Sequence, residues 1–109
     1  METLPTGRAV GMTVFTYTGV DEVRQPFEGQ CWHEGSTTRV QGAADTAVIG
    51  LAIAPERARL TLEDGEVSAT AVLTTGRYQV EGGHLSLSAG LTQDGERVGS
   101  VQLEVDCGG

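Results

Sequence analysis

Apolar residues recur at every second position along most of this chain, and no other feature restricts its fold as strongly. Ala58, Leu60 and Leu62 alternate with Arg59, Thr61 and Glu63. Val67, Ala69 and Ala71 alternate with Ser68, Thr70 and Val72; Tyr78 and Val80 with Arg77, Gln79 and Glu81. Leu85, Leu87 and Ala89 alternate with His84, Ser86 and Ser88; Val101, Leu103 and Val105 with Gln102, Glu104 and Asp106. Successive strand side chains point to opposite faces, so this period builds strands with one apolar and one wet face, as in antiparallel sheets. Gly19, Asp64-Gly65, Thr75-Gly76, Gly82-Gly83 and Asp94-Gly95 punctuate the runs. Asp-Gly supplies the positive φ that tight hairpins need. About eight short strands at this spacing predict an all-β fold, an antiparallel sandwich or small open barrel.

The first half is less regular. Met12–Thr18 carries β-formers on both faces, like a covered strand, and Thr38–Gln41 reads as a strand. Ala47–Ile53 is the most apolar stretch and reads as a buried strand or a buried helical segment, which periodicity does not separate. Gly50 and Pro55 favour strand or loop. A single helical turn fits near Ala54–Arg59. Residues 1–11 read as a flexible N-terminal segment and residues 12–109 as one β domain, a size that supports a single core. The strand over Arg97–Asp106 is a candidate sheet edge for a second chain, its charges being of the kind that protect an edge. Monomer or weak homo-oligomer is the expectation.

Charge narrows the partners. Seven basic residues, all Arg, face 15 acidic ones, a net charge of −8. That sign argues against nucleic acid as a partner. No apolar run approaches the roughly 18 residues a spanning helix needs. The opening residues Met1–Val10 show no basic segment followed by an apolar one. The expectation is a leader removed or omitted.

Several residue groups carry candidate chemistry. Cys31 and Cys107 form a disulfide or remain two buried thiols. A bridge closing about 76 residues would stabilise by roughly 4.5 kcal/mol on chain entropy, and would place the protein outside the reducing cytosol. Cys31, His33, His84 and Cys107 are alternatively a two-sulfur, two-nitrogen zinc set. Glu63, Asp64 and Glu66 on one turn, with Asp94 and Glu96 on another, are candidate calcium ligands or simply solvated turns. Ser86 and Ser88 lie near His84, but no nucleophile elbow surrounds them, so no enzyme and no cofactor are expected. The aromatic residues are Phe15, Tyr17, Phe27, Trp32 and Tyr78. Trp32 reads first as a core residue packed on a disulfide, and otherwise as an exposed platform for a sugar or lipid tail.

Four segments together resemble the LpqH-type lipoprotein antigens of mycobacteria and related actinobacteria. They are the strand and Gly turn of Val14–Asp21; Phe27-Glu28-Gly29-Gln30-Cys31; the Tyr segment Thr74-Thr75-Gly76-Arg77-Tyr78-Gln79-Val80-Glu81-Gly82; and the closing strand Val101-Gln102-Leu103-Glu104-Val105-Asp106-Cys107. The resemblance spans about residues 12–107. It implies a Cys31–Cys107 pair and a non-enzymatic ectodomain of an exported cell-envelope lipoprotein, with a binding or surface-display role toward an unknown ligand or an envelope or host protein. Membrane contact would come only through a lipid anchor on a Cys outside this stretch. The chain departs from the family in lacking a lipobox Cys and a Ser/Thr/Ala-rich linker, and in being shorter between Ala43 and Glu66. The alternative from another class is a surface module of a phage or protein particle, made without a leader.

Overall fold

The computed structural model describes residues 4–17, 22–65, 67–74 and 77–108. Its strands are β1 (Gly7–Tyr17), β2 (Val23–Glu34), β3 (Thr37–Ala44), β4 (Ala47–Ile53), β5 (Arg57–Asp64), β6 (Val67–Thr74), β7 (Tyr78–Glu81), β8 (His84–Gln93) and β9 (Glu96–Cys107). All neighbours pair antiparallel, in the order β6-β5-β4-β3-β2-β1-β9-β8-β7. A bridge between β6 and β8, Thr70 opposite Thr92, closes eight strands into a barrel and leaves β7 as an extra strand. The sheet expected to be a sandwich or open barrel is therefore closed.

The hairpins explain the meander. Gly82-Gly83 and Asp94-Gly95 each join two strands in two residues, with φ of 58° and 82° and of 53° and 82°. This is the turn whose twist matches paired strands. Asp45 also takes a positive φ, between β3 and β4, where the sequence carried no expected turn. Gly19 and Thr75-Gly76 lie outside the described residues.

The structure changes several expectations. Ala47–Ile53 is a strand, and Ala54–Arg59 holds a turn and the start of β5, not a helix. Residues 7–11, placed in a flexible N-terminal segment, belong to β1; even Leu4 is 1% exposed. Their glycines and alanine hid the apolar pattern. Arg97–Asp106 is no edge, because β9 pairs with β1 on one side and β8 on the other.

Apolar side chains fill the interior, including Phe15, Phe27, Leu60, Leu62, Leu85 and Leu103, while charged residues stand outside. This is the reverse of a membrane barrel, whose apolar band faces outward. Curvature rests on glycines that face inward. A Cβ on Gly11 would lie 1.8 Å from the Glu104 carbonyl oxygen, and one on Gly29 2.0 Å from that of Gln41. Strands approach this closely only where a side chain is absent.

One end of the barrel is stapled. Cys31 and Cys107 form a disulfide, with Cα atoms 6.0 Å apart. They lie on β2 and β9, the two neighbours of β1, opposite Gly7 and Ala9. A Cβ on Gly7 would lie 2.9 Å from Gly108 Cα, so this glycine leaves room for the tail to cross the start of β1. The tail is held further by Gly108 N–H to Arg8 O (2.9 Å) and Cys107 N–H to Gly83 O (3.0 Å). His33 Nε2–H donates to the Leu4 carbonyl (2.7 Å), and the Thr38 hydroxyl lies 3.2 Å from its Nδ1. His33 thereby pins the N-terminal segment over this end.

Candidate functional site: a trough on the outer wall

Cys31 faces inward, so Trp32 must face outward. The structure places it there, half-buried, on the outer wall. The core position expected for it is ruled out by strand parity. Trp32 stands opposite Arg39, Arg39 opposite Ala52, and Ala52 opposite Arg59. Residues directly opposite share a face, so these four form one row across β2, β3, β4 and β5. The adjoining row is Gln41, Gly50 and Thr61.

Small side chains at Gly50 and Ala52 sink the middle of these rows. The result is a trough of about 290 Å³. Arg39 and Gln41 stand along one side, Arg59, Thr61 and Glu63 along the other, and Val48 closes the end beside Glu63. Gly50 is open above: a Cβ there would meet one atom within 4 Å, Thr61 Oγ1 at 3.0 Å. The Thr61 hydroxyl donates to the Gly50 carbonyl at 3.4 Å.

Glu34 organises the aromatic end. Trp32 Nε1–H donates to Glu34 Oε1 at 2.9 Å, and Arg39 Nε lies 3.4 Å from Glu34 Oε2. One carboxylate thus orients both the indole and a guanidinium. Arg59, on the opposite side, has no carboxylate within ion-pair distance among the described residues. Trp32, Arg39, Arg59 and Glu63 thus border one open trough, with the Thr61 hydroxyl beside its floor.

A second cleft, about 380 Å³, follows the seam of the barrel. β7 continues β6 along the same edge of β8: Thr70 faces Thr92 and Tyr78 faces Leu87. The cleft lies between these two pairings. Arg77, Arg97, Ser88 and Ser100 line it. The seam is held by Thr92 Oγ1–H to Thr70 O (3.2 Å) and Ser68 N–H to Gln93 Oε1 (3.0 Å).

The remaining candidates separate. The Cys31–Cys107 bridge removes both sulfurs from the zinc set, and His84 lies on the outer wall while His33 caps the stapled end. Asp64 accepts from the Thr46 hydroxyl at 2.7 Å, and Glu66 lies outside the described residues. No group of three or more His, Cys, Asp or Glu among the described residues is placed to hold a metal.

His84 Nδ1 is 2.8 Å from Asp106 and Nε2 3.4 Å from Glu104, and both act as donors together only when the imidazole is protonated. The hydrogen bond to Asp106 raises the His84 pKa above 6.5; burial opposes it, and Glu104 adds to it. Glu81 is its neighbour on β7. A raised folded-state pKa stabilises the fold fully below about pH 6.5, and that gain is lost as pH rises through the folded value. The side chain is 40% exposed, so the effect is small. Urea midpoints at about pH 5.5 and about pH 8.5 should differ in the direction of greater stability at the lower value. His84→Gln should remove that part of the difference.

No known protein family, curated protein or solved structure matches the chain. Function is read from the geometry. Arg39, Gln41, Gly50, Arg59 and Thr61 escaped the sequence reading because only strand register brings them together. The parity of Trp32 against Cys31 was the one available signal.

Proposed function

We propose that this barrel is the non-enzymatic binding or display domain of an exported cell-envelope protein, of the LpqH-type lipoprotein kind its four segments resemble. The Cys31–Cys107 bridge carries the reading: it forms within the fold, and such bridges are characteristic of oxidising compartments. Two further observations support it. The lumen is filled by side chains, and the outer wall carries a trough open to a ligand or partner. His84 sits between Asp106 and Glu104, contacts that raise its pKa and favour the protonated imidazolium over the free base.

Differential thiol alkylation in intact producing cells tests this directly. Before reduction, Cys31 and Cys107 should resist a membrane-impermeant and a permeant maleimide alike, and the protein should fractionate with the envelope. Free thiols in protein confined to the cytosol would reject export and favour the leaderless particle module.

A further inference from the structure

We infer that the outer-wall trough binds a saccharide bearing an oxyanion, with the sugar ring on Trp32 and the oxyanion between Arg39 and Arg59. The inference rests on the binding role proposed above and names the ligand class of that site.

Four features converge. Trp32 is outward and half-buried, an amphipathic ring of the kind that offers an apolar face to a ligand. Its indole N–H is already satisfied by Glu34, so the ring is held in place without consuming a ligand group. Arg39 and Arg59 flank Ala52 on two sides, about two strand spacings or roughly 10 Å apart at the backbone. Long guanidinium side chains span such a gap, and their planar forks match carboxylate or phosphate oxygens. Arg39 also contacts Glu34, whereas Arg59 has no carboxylate within ion-pair distance among the described residues, so Arg59 is the cation left open to an oxyanion.

The rest of the lining suits hydroxyl groups. Gln41 offers both donors and an acceptor, and Thr61 a hydroxyl; Glu63 at the far end accepts only. Residues 48, 50 and 52 span about 13 Å of floor, so an extended ligand can lie along β4 with its charge at the Arg end. Gly50 and Ala52 supply the close approach that the rest of an extended ligand needs along the floor. Nucleic acid fits poorly, because repeated phosphates would meet Glu63 and the acidic surface beyond it.

Trp32 is the protein's single tryptophan, so its emission reports this site alone. The oxidised full chain is titrated with a neutral oligosaccharide ending in a single uronate and with a hexose phosphate in parallel arms. Neutral oligosaccharide and inorganic phosphate are the comparisons. A saturable change in Trp32 emission with either anionic sugar supports the inference, and the stronger arm identifies carboxylate or phosphate.

Arg59→Gln and Arg39→Gln should each weaken binding about tenfold, as expected for loss of a charge-assisted hydrogen bond. Arg97→Gln, at the seam, should leave it unchanged. Calorimetry on Trp32→Ala should show the same loss without the optical reporter. No response to either anionic sugar would overturn the inference. An equal response to the neutral sugar or to inorganic phosphate, or one indifferent to both trough arginines, would overturn it as well. Thiol state and envelope location are measured separately, so a silent titration on exported, oxidised protein removes the ligand class and leaves the binding domain standing.

Discussion

Reducing the Cys31–Cys107 bridge should lower the folding free energy by about 4.5 kcal/mol, the chain-entropy value for a closed loop of 76 residues. Domains of this size are stable by roughly 5–15 kcal/mol, so the loss moves the barrel close to its unfolding threshold. The position of the bridge strengthens the expectation. It joins β2 to β9 across the start of β1, where the tail and the Leu4 segment also dock. Opening it releases three elements that meet at one end. Urea denaturation of oxidised protein, reduced protein and a Cys31→Ala/Cys107→Ala variant measures the effect. A shift under about 1 kcal/mol in both altered forms would show that the barrel end holds without its staple.

Gly11→Ala should be nearly as damaging although it adds one methyl group. The new Cβ would lie 1.8 Å from the Glu104 carbonyl oxygen and 2.8 Å from Val105 Cα. Both are backbone atoms of β9, so no rotamer relieves the overlap and β1 must separate from β9. Adjacent ladder hydrogen bonds are then lost, and a destabilisation of about 3 kcal/mol follows. Gly50→Ala is the contrast. It meets only the Thr61 hydroxyl at 3.0 Å, which can rotate away. Its cost should fall within about 1 kcal/mol of zero, since alanine also reduces the entropy of the unfolded chain. Thermal unfolding of the two variants side by side would expose the difference. Equal midpoints would mean that the close strand contacts at Gly11 do not bear on stability.

These two glycines show how far a sequence can be read. Both interrupt strands, and neither position reveals which glycine faces a neighbouring backbone and which lies open to solvent. The answer depends on register. Gly11 turns inward opposite Phe27 and Val105, whereas Gly50 turns outward between Gln41 and Thr61. The same dependence hid the trough. Arg39 and Arg59 are 20 positions apart and come to flank Ala52 only because β3, β4 and β5 pair in one particular alignment. Trp32 was misplaced in the core for a local reason: adjacency to Cys31 in the chain means opposite faces in a strand.

The alternation of side chains, the Gly82-Gly83 and Asp94-Gly95 hairpins and the pair of cysteines by themselves determined an all-β antiparallel protein with a candidate disulfide. These signals are local, and each residue carries its own conformational preference. Closure into a barrel, the crossing of the bridge over β1 and the assembly of the trough were decided only in three dimensions. They depend on which strands lie side by side and in which register, and a linear pattern of period two is compatible with many such arrangements.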